Sequence, residues 1–281
     1  MILKLQLLAL AFLLIMTAHA TPARAETPLI SREIQSEKDV VYGEVDGHKL
    51  TADVYRPIGD NTFPAVLMIH GGAWTGGNKW NMRDHARELA QAGYVAVAIN
   101  YRLAPSNKYP AQIEDCRTAL RWMVTSADRF QIDTQRLGVY GYSAGGHLAA
   151  LLATDGTSGL PALKVAVAGG APCDFSFIPE TSRAIAHVMG GTRGQCPLVY
   201  RDASPLTYAS NDDCPMFFFH GTDDLIVPPT ASRILCDRLQ ELGVETCYFS
   251  LPNQGHLITF LHPDVRQAAR EFLDKHLQSV P

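Results

Sequence analysis

The chain is short of several signals that would fix its class at once. It has no internal repeat, and its 22 glycines and 17 prolines are scattered, which excludes solenoid and collagen-like architectures. It has no surplus of positive charge: 24 Lys and Arg stand against 28 Asp and Glu, a net charge of −4. Nucleic acid is therefore not the expected partner, because phosphate binding relies on clustered basic residues. It has no C-x-x-C pair, so zinc-ribbon and thioredoxin-like sites lack support. It has neither G-x-G-x-x-G nor a glycine loop ending in G-K-[ST], the two patterns that cradle phosphate. Charge is modest at 19% and apolar content ordinary at 47% over 281 residues, enough chain to bury a sizeable core.

The longest apolar run, residues 7–16, is too short to span a bilayer core of about 30 Å. It follows a single positive charge, Lys4, and precedes two small-residue sites, Ala18-His19-Ala20 and Ala23-Arg24-Ala25. This order predicts a secretory signal peptide over residues 1–25, cut after Ala20 or Ala25. An uncut membrane anchor is the alternative. Cleavage leaves 26–281 as one domain with no stable membrane insertion, in a secreted or periplasmic protein. Export permits disulfides among Cys116, Cys173, Cys196, Cys214, Cys236 and Cys247, without dictating the pairing; buried free thiols are the competing expectation.

Beyond the leader the pattern alternates. Two strand-like runs, 40–45 and 50–55, flank Asp46-Gly47 and predict an antiparallel hairpin. Continuous apolar runs at 64–69 and 94–99 predict strands buried on both faces. Further strands are expected at 136–140, 165–168, 216–219 and 245–249. Helices are expected at 83–92, 111–127, 145–154, 230–242 and 264–277. Strands alternating with helices imply a mostly parallel central sheet with helices on both faces, edged by the antiparallel hairpin. Sites in such sheets form at the carboxyl ends of strands.

Four strand ends carry reactive groups. Gly141-Tyr142-Ser143-Ala144-Gly145 lies between a strand and a helix, and small residues two positions either side of Ser143 suit a sharp turn that exposes its hydroxyl. His70-Gly71-Gly72-Ala73-Trp74 follows the strand ending at Ile69. Small residues there let backbone N–H groups approach developing negative charge, so Gly72 and Ala73, with Ala144, are the candidate oxyanion donors. His70 suits a loop-organising hydrogen bond better than a role as base. Asp223-Asp224 follows the strand at 216–219, and Gln254-Gly255-His256 follows the strand at 245–249. A serine, a carboxylate and a histidine in this order are the parts of an α/β-hydrolase triad. A serine hydroxyl needs an imidazole to take its proton, and the imidazole needs a carboxylate to fix its tautomer. Among the ten histidines, His147, His187, His220 and His262 are other possible bases, but none has the post-strand loop position of His256 after both the serine and the carboxylate.

These residues resemble the α/β-hydrolase carboxylesterases, near the hormone-sensitive-lipase-like and the small bacterial feruloyl-esterase-type (BD-FAE-like) enzymes. The resemblance runs from about Val41 to the C-terminus. It rests on the five-residue stretch at His70, on Asn100-Tyr101-Arg102-Leu103-Ala104-Pro105, on Gly141-Tyr142-Ser143-Ala144-Gly145-Gly146, on His220-Gly221-x-x-Asp224-x-x-Val227 and on Gly255-His256. It implies an α/β-hydrolase fold, a Ser143–Asp224–His256 triad with the acid three residues before Val227, and oxyanion donors at Gly72, Ala73 and Ala144. It implies no metal or organic cofactor. Its substrate would be an ester, either a small molecule or one borne on a polysaccharide.

The chain departs from the pattern in two places. Only about fifteen residues separate the expected cleavage site from Val40, so a full N-terminal helical cap is not expected. The sole sizeable insertion, 171–213, holds Phe175, Phe177, Ile178 and Met189 and is read as a short cap that could wall the pocket, or as plain core. Aminopeptidase-like, acetyl xylan-specific and feruloyl-specific hydrolases are the nearest rivals. A hydrolase-fold binding module without catalysis is the rival of another class.

Overall fold

A computed structural model describes residues 31–157 and 159–278. The predicted leader at 1–25 lies outside the described residues. Eight strands form one sheet: β1 (Ile34–Val45), β2 (His48–Pro57), β3 (Phe63–Ile69), β4 (Val95–Ile99), β5 (Ile132–Tyr142), β6 (Val165–Gly169), β7 (Met216–Gly221) and β8 (Thr246–Leu251), in the order β1-β2-β4-β3-β5-β6-β7-β8. The first two pairings of that order are antiparallel and the other five parallel.

The hairpin turns at Asp46-Gly47, both with positive φ (48° and 77°), as a two-residue loop between twisted strands requires. β1 begins earlier than its apolar pattern suggests. Residues 35–39 are polar and exposed because they lie on the sheet edge, and irregular register between Glu37 and Val40 bends the strand there. β3 and β4 are buried along their whole length, in keeping with their unbroken apolar sequence.

The helices are α1 (Arg83–Gln91), α2 (Ala111–Thr125), α3 (Ala127–Phe130), α4 (Ala144–Thr154), α5 (Ala186–Met189), α6 (Pro197–Asp202), α7 (Thr230–Glu241), α8 (His256–Leu261) and α9 (Pro263–Leu277). α1 and α9 cover one face of the sheet through Ala86, Leu89, Val265 and Leu273. α2, α4 and α7 cover the other through Ile113, Leu120, Leu148, Leu151 and Leu235. The helix expected over 111–127 breaks at Ser126, and α3 ends on Gln131 in the left-handed region (φ 59°). α8 is not expected from sequence: six residues are too few for a periodicity to register. The insertion folds into α5, α6 and a 3-10 turn over Pro205–Tyr208.

All six cysteines are free thiols, three of them buried. The disulfide alternative is thus overturned in favour of the free-thiol one: the side chains of Cys116, Cys173 and Cys236 fill core positions rather than bridge segments. Among the described residues no helix is long and apolar enough to cross a membrane.

Candidate active site

Ser143 sits between β5 and α4 with φ 57° and ψ −122°, a strained conformation for a residue with a Cβ, of the order of 1–3 kcal/mol. Close approach of backbone to backbone holds it there. A Cβ on Gly141 would stand 2.0 Å from the Gly145 carbonyl oxygen, one on Gly145 2.1 Å from that of Ile69, and one on Gly146 2.4 Å from that of Gly169. Only glycine fits these three positions. The Ser143 N–H donates to the Gly169 carbonyl (2.8 Å), which pins the turn to β6. Ala144 begins α4, so its N–H is one of the free donors at the positive end of an eleven-residue helix.

The loop after β3 comes up beside this turn. A Cβ on Gly71 would meet the Tyr142 carbonyl at 2.8 Å and the Ser143 Cβ at 3.2 Å. Gly72, Ala73 and Trp74 all have positive φ (123°, 52° and 59°). The Gly72 carbonyl accepts from Thr75 and Gly76, while among the described residues the Gly72 and Ala73 N–H groups donate to no backbone carbonyl. His70 has the organising role expected of it. It is buried, its ring stacks on Tyr101 with centroids 4.3 Å apart, and its Nδ1–H donates to the Gly71 carbonyl (2.7 Å). Burial pushes its pKa down to about 4 against the pull of that carbonyl, so it is a neutral strut.

The far end of the loop is fixed electrostatically. Lys79, almost buried, places its Nζ 2.5 Å from Asp39 and 2.8 Å from Asp53. The Lys79 N–H donates to the Asn100 side chain (2.8 Å). Asp39 and Asp53 belong to the β1–β2 hairpin, so the edge of the sheet anchors the loop. Sequence reasoning missed this ion-pair cluster, since the partners are 40 and 26 residues from Lys79 and no local pattern links them.

Asp224 and His256 meet across the β7 and β8 loops. The Asp224 Oδ2 accepts from His256 Nδ1 at 2.6 Å, and its Oδ1 accepts from the Ile226 and Val227 N–H groups at 2.9 Å each. Burial of the carboxyl works to raise its pKa, but the bonds from His256, Val227 and Ile226 outweigh it and hold the group below its usual range. The neighbouring Asp223 is exposed and bonded to Thr222. With Nδ1 engaged, Nε2 is the His256 nitrogen left to face a hydroxyl. The Tyr142 hydroxyl donates to the His256 carbonyl, and the two rings lie 4.9 Å apart. The residue before Ser143 thereby also seats the histidine. His256 opens α8 rather than lying in a loop, so one helix sets both its backbone and its neighbours.

His220 is the other residue that sequence reasoning undervalued. Its Nε2 lies 3.2 Å from Asp224 Oδ2 and bonds the Val227 carbonyl (2.8 Å), while Nδ1 bonds Ser232 (2.7 Å). It braces the acid loop from behind, and burial lowers its pKa. The spacing His220-x-x-x-Asp224 was the available signal. Two of the other histidines stand apart: His187 is exposed, and His262 caps α9 by accepting from the Asp264 N–H. The insertion divides. Phe175 and Met189 are core, whereas Phe177 is 72% exposed; Phe175 packs behind the glycine loop, 6.0 Å from the Trp74 ring. Among the described residues no group of three or more His, Cys, Asp or Glu stands together to hold a metal ion.

Residues 52–239 match the BD-FAE family. The chain belongs to that family. Among its relatives is the probable carboxylic ester hydrolase LipM of Mycobacterium tuberculosis, 31% identical over 86% of this chain and 60% of that protein. Esterase LipC of the same organism is 30% identical over 84% of this chain and 64% of that protein. The chain thus spans about three fifths of the length of these curated relatives. Solved structures share the fold of this BD-FAE member. A truncated carbohydrate esterase from gut microbiota superposes with a TM-score of 0.75 at 23% identity, over 89% of this chain and 98% of that one. A bifunctional GH43-CE protein of Bacteroides eggerthii superposes with a TM-score of 0.76 at 25% identity, over 86% of this chain and 38% of that one. The α/β-hydrolase fold expected from the motifs is the fold found.

Proposed function

We propose that the protein is a serine carboxylic ester hydrolase with Ser143, Asp224 and His256 as its triad. The observation that carries this reading is the buried Asp224–His256 pair at 2.6 Å, seated by Tyr142 against the strained turn that bears Ser143. In this mechanism Ser143 Oγ attacks the acyl carbon while His256 Nε2 takes its proton. The carbonyl oxygen becomes an oxyanion facing the N–H groups of Gly72, Ala73 and Ala144. Collapse expels the alcohol, which takes the proton from Nε2, and leaves Ser143 acylated. Water, deprotonated by the same nitrogen, then releases the acid and restores Ser143. Asp224 fixes the tautomer with Nδ1 protonated and offsets the imidazolium charge.

The rim favours an ester with an apolar acyl or alcohol part. Leu225 and Ile226 follow the acid, and Leu257, Ile258 and Leu261 follow the histidine; all five are exposed, Leu225 by 96%. The carbohydrate esterase among the structural neighbours supports the rival substrate, an acylated polysaccharide. We further read residues 1–25 as a leader that directs export. The test is Ser143→Ala assayed on aryl acetate and butyrate esters, then on acetylated xylan. Turnover should fall by more than about a thousandfold with the fold intact, since triad loss typically costs more than that. Retained turnover would mean that another group is the nucleophile, and a preference for xylan over butyrate would reassign the substrate.

A further inference from the structure

Trp74 and His147 join two parts of the site that are far apart in sequence. Trp74 ends the glycine loop and turns its indole inward, where it is 7% exposed. The indole Nε1–H donates to His147 Nδ1 at 3.1 Å, with the rings edge to face at 5.3 Å. His147 lies one turn into α4, and its N–H donates to the Ser143 carbonyl (2.9 Å). Its other nitrogen, Nε2, donates to the Ala203 carbonyl of the 171–213 insertion at 2.7 Å. Phe175, from the same insertion, packs edge-on against both rings.

These contacts fix the chemistry of His147. An Nδ1 that accepts from an indole carries no proton, and an Nε2 facing a carbonyl must carry one. Burial keeps the ring neutral and pushes its pKa down to about 4, with the Ala203 carbonyl acting the other way. Both nitrogens are engaged, so His147 is not a base. What it holds is strained: Ala73 and Trp74 are consecutive non-glycine residues at positive φ, a conformation that persists only where the surroundings over-determine it.

We infer that His147 is a positioning residue for the oxyanion donors. Through Trp74 it holds the Gly72–Ala73 backbone beside Ser143, and it takes the Ala203 carbonyl of the insertion as its fixed point. The insertion thereby acts on the reaction from behind the loop. This inference rests on the reading of Gly72 and Ala73 as oxyanion donors.

The test compares His147→Leu, His147→Asn, His147→Gln and Trp74→Phe on an aryl acetate, with folding followed by circular dichroism. His147→Leu removes both bonds and should lower kcat by about 30- to 100-fold, with KM within about threefold, as loss of transition-state contact requires. Affinity for an alkyl boronic acid, which becomes tetrahedral and anionic on Ser143, should fall in parallel; a merely structural defect would not move it so. Trp74→Phe removes the same bond from the loop side and carries the test if His147→Leu does not fold. His147→Asn keeps an acceptor near the Nδ1 position and should recover most of the activity. His147→Gln, which reaches only towards Ala203, should not. A folded His147→Leu or Trp74→Phe with unchanged kcat, or equal losses in the Asn and Gln variants, would overturn the inference. Full activity in Ser143→Ala would instead sink the underlying functional reading.

Discussion

The turn at 141–146 and the loop at 70–79 meet at Ser143; packed glycines shape both, but the loop leans further on side chains. The turn is held by backbone packed on backbone: Gly141, Gly145 and Gly146 each have a carbonyl where a Cβ would go. The loop has glycines packed on carbonyls too, at Gly71, Gly72 and Gly77, and is held besides at three points by side chains, through His70 on Tyr101, Trp74 on His147 and Lys79 on Asp39 and Asp53. Backbone contact of this kind admits one residue type and is indifferent to chemistry. Side-chain anchorage admits alternatives and can be tuned, so the loop that bears the candidate oxyanion donors has adjustable anchors in addition to its packed glycines.

The largest expected effect probes a third mode, a single hydrogen-bonded carboxylate. Asp224→Asn should cost about 10⁴ in turnover by the loss of tautomer control. Asp223→Asn, on the exposed neighbour, should stay within about threefold, as surface substitutions do. Steady-state kinetics on both variants decides between them, and comparable losses would place the acid elsewhere.

The contrast between turn and loop is sharpened by one methyl group moved each way. Gly145→Ala would press a Cβ to 2.1 Å from the Ile69 carbonyl and 2.6 Å from that of His70. It should destabilise by about 3 kcal/mol or more, in the range of severe steric substitutions. Ala73→Gly relieves a left-handed alanine (φ 52°) and leaves its N–H in place, so stability should change by less than about 1 kcal/mol and turnover by less than about tenfold. Thermal unfolding of the pair tests the distinction. A tolerant Gly145 would show that the turn is as adjustable as the loop.

The smallest and most diffuse effect is that of pH. Burial pushes His70, His85 and His147 down to about 4 from a normal 6.5. The unfolded chain therefore takes up protons that the folded one refuses, and their contribution is complete above pH 6.5 and lost progressively as pH falls towards 4. Asp224, also lowered, adds its loss only below its ordinary value of 3.8. The urea midpoint should drop between pH 7 and pH 4.5. A flat midpoint over that range would mean that the loop histidine and its two counterparts are hydrated rather than buried.

Much of the fold was legible because burial writes itself into sequence. β3 and β4 read as unbroken apolar runs since both faces are covered, and Gly141-x-Ser143-x-Gly145 reads as a turn since only glycine fits its crowded ends. The unread parts had no such imprint. The first residues of β1 are polar because they pair at an exposed edge. α8 is too short for a period, though it carries His256.

Local sequence by itself determined the order of strands and helices, the glycine turn at Ser143 and the identity of the candidate triad, because each depends on a few adjacent residues and their steric or polar character. The tertiary structure brought Asp224, already preferred to Asp223 from the family pattern, to His256. It alone paired Lys79 with Asp39 and Asp53, brought Trp74 to His147, and left the cysteines as free thiols. These are contacts between segments distant in the chain. They are set by how the sheet brings its strand ends together, a relation that no stretch of neighbouring residues encodes.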